Sequence, residues 1–271
     1  MPFAICNEIY QGWPLAKACA HAARTGYQGI ELAPFTLARR ITDLSHADLQ
    51  RLRSEVERAG LQVVGLHWLL AQTEGFHVTH PDPAVRQATR DYLLALVDAC
   101  ADLGGRILVF GSPRQRSLLP GVSRDQALHW AREVFIPAAA RAEARGATLC
   151  IEPLAPAETD FLNTAAEARD FAASIGSPAL QIMLDVKAMS SEALPIPDII
   201  RQSAGRFAHF HANDANLKGP GFGRVDFRPI AAALREVQYT GWVSVEVFQF
   251  EEGPEAIAER SLDYLRQTFR P

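Results

Sequence analysis

Short, almost wholly apolar runs alternate with longer amphipathic segments along the whole chain. No other feature limits the possible folds as much. The short runs are Phe3–Cys6, Gly29–Leu32, Gln62–His67, Ile107–Phe110, Thr148–Glu152, Leu180–Asp185, Phe207–His211 and Trp242–Glu246. Val, Ile, Leu and Phe dominate them, with little polar alternation, which is the pattern of strands buried on both faces of a parallel sheet. Between them lie segments with apolar residues three and four apart, bounded by helix signals. Ser45 precedes a run that closes at Gly60, and a second spans Asp82 to Leu103 before Gly104 and Gly105. Ser123 precedes a run ending at Gly146, and Asp226 is placed to cap a helix holding Ile230 to Val237.

Strand–helix units repeated eight times predict an α/β fold, a single (β/α)8 barrel. The 271 residues are read as one domain, 1–271, since one such barrel runs to about 250 residues. An open doubly wound sheet is disfavoured because no glycine-rich turn opens a helix after the first strand.

Chemistry on a barrel of this kind sits where strands end and βα loops begin. The last four runs each end in or near a residue able to hold a metal: Glu152, Asp185, His211 and Glu246. Any one alone reads as a strand-end residue bonding loop backbone. Together they aim three carboxylates and an imidazole at one place, with no Arg or Lys in those strands to offset the repulsion. A divalent cation resolves that repulsion. The O3N donor set favours Mn2+, then Mg2+ or Co2+.

With these residues in place, the chain resembles the sugar phosphate isomerase/epimerase family, the xylose isomerase-like TIM barrels that include the ketose 3-epimerases. The quartet falls in the family's order and spacing. Its surroundings match as well: IEPL at Glu152, HFHAND at His211 and GPGFGRVDF leading into a helix. The resemblance implies one divalent ion held by Glu152, Asp185, His211 and Glu246. It also implies Glu152 and Glu246 as the catalytic pair, moving a proton at the carbon beside a chelated carbonyl through an enediolate. The expected activity is thus an isomerase or epimerase of a keto sugar or related polyol. The same scaffold also serves lyases and dehydratases acting on 3-keto sugars or dehydroshikimate-like acids, and that is the alternative. A homo-dimer or tetramer is implied by resemblance alone.

Two positions depart from the ketose 3-epimerase pattern. Ala188 stands where the family has His three residues after the strand-6 Asp, and Leu217 where it has Arg six after the strand-7 His. Lys187 and Lys218 are the nearest replacements, each also readable as a solvated loop lysine. Other candidates for substrate contact are His67 at the end of strand 3, Glu158 in the loop after Glu152, and Arg224 in the glycine-rich turn that Lys218 opens. Glu8 and Glu31, at the ends of strands 1 and 2, either bond sugar hydroxyls or balance loop charge. The long loop after strand 3, carrying Trp68, Phe76, His77 and His80, is suited to covering the site. Its two histidines need not be ligands, and His21, His46 and His129 fall in helical runs.

Charge and cysteine usage narrow the partners. A formal charge of −4 without a basic tract argues against nucleic acid, and so against the apurinic-endonuclease branch of the fold. No run reaches the roughly 18 apolar residues of a membrane helix, and MPFAICNEIY carries no secretory leader pattern. Cys6, Cys19, Cys100 and Cys150 lack metal-type spacing and lie in apolar segments, as reduced core thiols do. A cytoplasmic protein acting on a small sugar-like molecule is expected.

Overall fold

The computed structural model describes residues 1–270. Eight parallel strands close in sequence order: β1 (Phe3–Cys6), β2 (Gly29–Leu32), β3 (Gln62–Leu66), β4 (Ile107–Phe110), β5 (Thr148–Ile151), β6 (Leu180–Asp185), β7 (Phe207–Ala212) and β8 (Val243–Val245). Closure is made by β1 against β8, with Phe3 opposite Val243. The connecting helices are α1 (Leu15–Thr25), α2 (His46–Arg58), α3 (Pro83–Asp102), α4 (Arg124–Arg145) and α5 (Ala165–Ile175). After β6 come a one-turn α6 (Val186–Met189) and α7 (Ile196–Gln202), then α8 (Phe227–Glu236) and α9 (Pro254–Thr268). The expected (β/α)8 barrel is the observed one. Among the described residues no helix is long and apolar enough to cross a membrane.

Local chemistry starts and stops these helices where the sequence says. The Ser45 hydroxyl accepts from the Asp48 N–H while Asp48 reaches back to the Ser45 N–H, and Ser123 and Gln126 repeat this reciprocal pair. Asp82 and Asp226 cap α3 and α8. Strand contacts are equally constrained: a Cβ on Gly65 would lie 1.8 Å from the Ile107 carbonyl oxygen, so β3 and β4 meet only because that position is glycine.

The barrel interior is divided. Val109, Cys150 and Met183, from β4, β5 and β6, form a small apolar cluster of their own. Their strand neighbours Leu108, Phe110, Leu149, Ile151, Ile182 and Leu184 join the large cluster shared with the helices. Alternation along a strand therefore points the small cluster into the barrel. On the other side the interior is polar: Glu31, His209 and Ser244 are fully buried. The sequence reading of near-continuous apolar strands misses this polar half. A register shift between Ile30 and Glu31 marks where β2 bends to present its acid.

Candidate metal centre and its surroundings

Every residue of the sequence-derived quartet stands at the C-terminal ends of the strands. Glu152 directly follows β5, Asp185 ends β6, His211 is the penultimate residue of β7, and Glu246 directly follows β8. All four are buried, and one ligating atom from each lies within 4.8 Å of the others. Asp185 also caps α6, its Oδ1 accepting from the Ala188 N–H at 2.7 Å, while Oδ2 accepts from Asn213 Nδ2 at 2.5 Å. Asn213 in turn accepts from the Lys187 N–H. The chain direction after β6 is thus fixed by the same carboxylate that faces the other three groups.

A buried chain of acids and imidazoles orients His211. Its Nε2 lies 3.3 Å from Glu31 Oε2, Glu31 Oε1 lies 2.7 Å from His209 Nε2, and His211 Nδ1 lies 3.1 Å from Glu246 Oε2. With the ring proton on Nε2 towards Glu31, Nδ1 presents a lone pair to the carboxylates, the arrangement that tunes a metal-binding imidazole. Glu246 receives a second bond, from Trp68 Nε1 at 2.7 Å.

Electrostatics separate the two glutamates. Burial, then the charges of Glu246 and Asp185, hold the Glu152 carboxyl well above the usual range. Burial also pushes Glu246 upward, but His211, His67 and Lys187 together outweigh it and the group stays below its ordinary value. Burial raises Asp185. His211 is lifted well above an ordinary imidazole because Glu246 and Glu31 outweigh its desolvation. Among the described residues no side chain donates to the Glu152 carboxylate. Crowded carboxylates, one of them without a donor, and an oriented imidazole fit a divalent cation. Three further groupings, Cys6–Glu31–His67, Glu8–His67–Glu246 and Glu31–His209–His211, also have close ligating atoms. In these, hydrogen bonds such as His67 Nε2 to Glu8 Oε2 at 2.6 Å already pair imidazole with acid.

A cavity of about 510 Å3 opens beside Glu152, lined by Trp68, Arg114, Glu158, Lys187 and Phe248 among others. Lys187 is not a solvated loop lysine: it is buried, its Nζ 2.8 Å from Glu158 Oε1 and 4.0 Å from the centre of the Phe248 ring. Burial would lower its pKa, but Asp185, Glu152 and Glu158 together raise it. Arg116, unremarked in the sequence, is fully buried and donates to the Glu152 carbonyl at 2.7 Å. The missing counter-charges therefore come from segments that follow the strands, Lys187 from α6 and Arg116 from the loop after β4. His67 is buried beneath Trp68 and engaged with Glu8. Lys218 is held instead by Glu252. Arg224 is exposed and lines a separate surface hollow with Asp226 and Arg228. Glu8 and Glu31 both belong to the buried network, which the sequence left undecided. The loop after β3 lies over the site and holds Trp68 and Gln72 at positive φ, 51° and 58°. Backbone strain of this kind persists where surrounding structure enforces it.

Comparison with known proteins agrees with this architecture. D-psicose 3-epimerase of Agrobacterium fabrum is 30% identical over 83% of this chain and 76% of its own length. L-ribulose 3-epimerase of Mesorhizobium japonicum is 29% identical over 88% of this chain and 78% of its own. The crystal structure of D-psicose 3-epimerase from Clostridium cellulolyticum H10 superposes with a TM-score of 0.88 at 20% identity, covering 100% of both chains. The sequence profile described as xylose isomerase-like TIM barrel matches residues 19–268. The chain belongs to that family, in keeping with its sequence resemblance to the sugar phosphate isomerases/epimerases.

Proposed function

We propose that the protein is a divalent-metal-dependent isomerase or epimerase of a keto sugar or related polyol. One observation carries the reading: Glu152, Asp185, His211 and Glu246, buried at four adjacent strand ends, bring their ligating atoms within 4.8 Å. Relatives named as ketose 3-epimerases support it. These four residues would hold one ion, with Mn2+ favoured over Mg2+ or Co2+ by the O3N set. When bound, the ion supplies Lewis-acid polarisation of a carbonyl and the neighbouring oxygen.

The chain's own residues do the rest. One of Glu152 and Glu246 takes the proton from the carbon beside the carbonyl, leaving an enediolate of the substrate. The other returns a proton to the opposite face. Asp185 and His211 position. Burial and the Trp68 indole over Glu246 exclude water, so both carboxylates act by close placement. Lys187, its ammonium held by the accepting Glu158, offers N–H donors to substrate oxygens where the ketose 3-epimerase pattern has the His replaced here by Ala188. His67 acts through Glu8, while Lys218, paired with Glu252, and Arg224, in its separate hollow, take no part in the proposed site. Solvent-deuterium incorporation at the carbon beside the carbonyl should fall by about 10³-fold in Glu152→Gln and Glu246→Gln. Full exchange in either variant would refute the pair.

The buried Lys187 also favours a second reading. An ammonium beside Glu158 can give a leaving oxygen its proton, making the protein a lyase or dehydratase on a 3-keto sugar or dehydroshikimate-like substrate. Product mass separates the two, because elimination loses water or an alcohol while epimerisation leaves the mass unchanged. Four buried free cysteines support a reducing, cytoplasmic setting. A homo-dimer or tetramer is the proposed assembly, to be read by light scattering. Nucleic acid and membranes are not proposed partners, given the charge of −4.

A further inference from the structure

A second cavity, of about 540 Å3, lies across Trp68 from the first, and Trp68 and Gln72 line both. Its walls carry five aromatic rings: Tyr10, Trp13, Phe35, Trp68 and Phe250. Trp68 tilts against Phe35 on one side, centroids 5.9 Å apart, and stacks on Phe248 on the other at 5.8 Å. No Lys or Arg lines this chamber itself, although Lys17 lies over the Trp13 ring with Nζ 3.4 Å from its centroid. It does offer an acceptor. Glu8 lines it with Oε2 bonded to His67, while Oε1 is buried and without a partner.

We infer that this chamber is a distal subsite for a neutral sugar ring attached to the reacting keto sugar, so that the substrate is a glycosylated ketose rather than a free one. Sugar rings present C–H faces to aromatic side chains and hydroxyl donors to buried acceptors, and this chamber supplies both partners. Ligand pockets run to roughly 300–1,000 Å3, so the first chamber alone is large enough for a single sugar ring. A monosaccharide reacting between Glu152 and Glu246 therefore leaves the second chamber empty. Phosphate in that position is disfavoured by the unpaired Glu8 oxygen, an acceptor with nothing to offer another acceptor. The inference rests on the reading that a keto sugar reacts at the quartet.

The test uses the manganese-loaded full chain with D-fructose and two glucosyl-fructoses, isomaltulose and maltulose. Saturation-transfer NMR should show protein contact on both rings of at least one disaccharide, with the glucosyl signal lost in Phe250→Ala and in Trp13→Ala. In D2O, exchange beside the carbonyl should favour that disaccharide over fructose by about tenfold or more, and Phe250→Ala should erase the preference. Contact confined to the fructosyl ring, tighter binding of fructose than of either disaccharide, or equal losses for both sugars in Phe250→Ala would overturn the subsite. Contact on both rings without exchange in either sugar would leave the subsite standing and refute the proposed reaction instead.

Discussion

Glu31 shows how a residue outside the quartet can orient one of its members. Fully buried, it spans His209 and His211 and fixes which nitrogen of His211 faces the carboxylates. Burial alone would raise its pKa, yet the two imidazoles hold it well below the usual carboxylate range. Glu31→Gln keeps the shape but removes the charge that orients the His211 proton. Mn2+ affinity, followed by EPR of the free ion, is expected to drop about 10–100-fold with the fold intact by circular dichroism. Gly111 matters for the opposite reason, an absence of atoms. A Cβ there would lie 1.7 Å from Glu152 Oε2, the movable end of a side chain. Gly111→Ala should therefore fold, displace that carboxylate, and lower carbon–hydrogen exchange by about 10²-fold.

Those two residues also mark what the sequence makes legible. The quartet is readable because each member is a polar residue ending an apolar run, a signal carried by neighbours in the chain. Glu31 and His209 end or interrupt such runs too, but nothing local says that they meet each other 178 positions apart. Lys187 reads as a loop lysine until the one-turn α6, capped by Asp185, turns it inward against Phe248. Arg116 gives no signal at all: its burial depends on loops after β4 and β5 packing together.

At the level of elements, strand and helix order follows from periodicity and caps, and the boundaries shift only by a residue or two. His67, Glu152 and Glu246 fall just past their strands rather than within them. The loop after β3 is less regular and has its own pH dependence. His77, buried at its base, bonds Thr79 through Nδ1 and leaves Nε2 without a partner. Burial, with a smaller contribution from His80, pushes its pKa down to about 4. A folded state that needs neutral His77 keeps this stabilisation above the unfolded value near 6.5 and loses it as pH falls towards 4. Melting at pH 7 and 4.5 should reveal acid destabilisation of about 1–3 kcal/mol in the wild type, reduced in His77→Asn. An unchanged pH profile in the variant would show that the imidazole plays no part.

For the molecule as a whole, the proposed ion at the quartet would couple ligand binding to folding. Three crowded carboxylates weaken the fold until a cation joins them, and a ligand that binds only the folded state stabilises it by about 2.7 kcal/mol at 100 times its Kd. Thermal melting should therefore rise by several degrees with Mn2+ and fall back with EDTA, whereas Asp185→Asn should melt at one temperature in both. The closing seam of the barrel has a further implication for handling the protein. Strand β8 is three residues long, its first N–H bonds the Pro2 carbonyl at 3.0 Å, and Glu246 comes directly after it. The opening residues thus act as a brace for an acid that lies more than two hundred positions downstream. Trimming them, or crowding them with an affinity tag, would blunt turnover while most of the scaffold still looked intact to any bulk measure of folding.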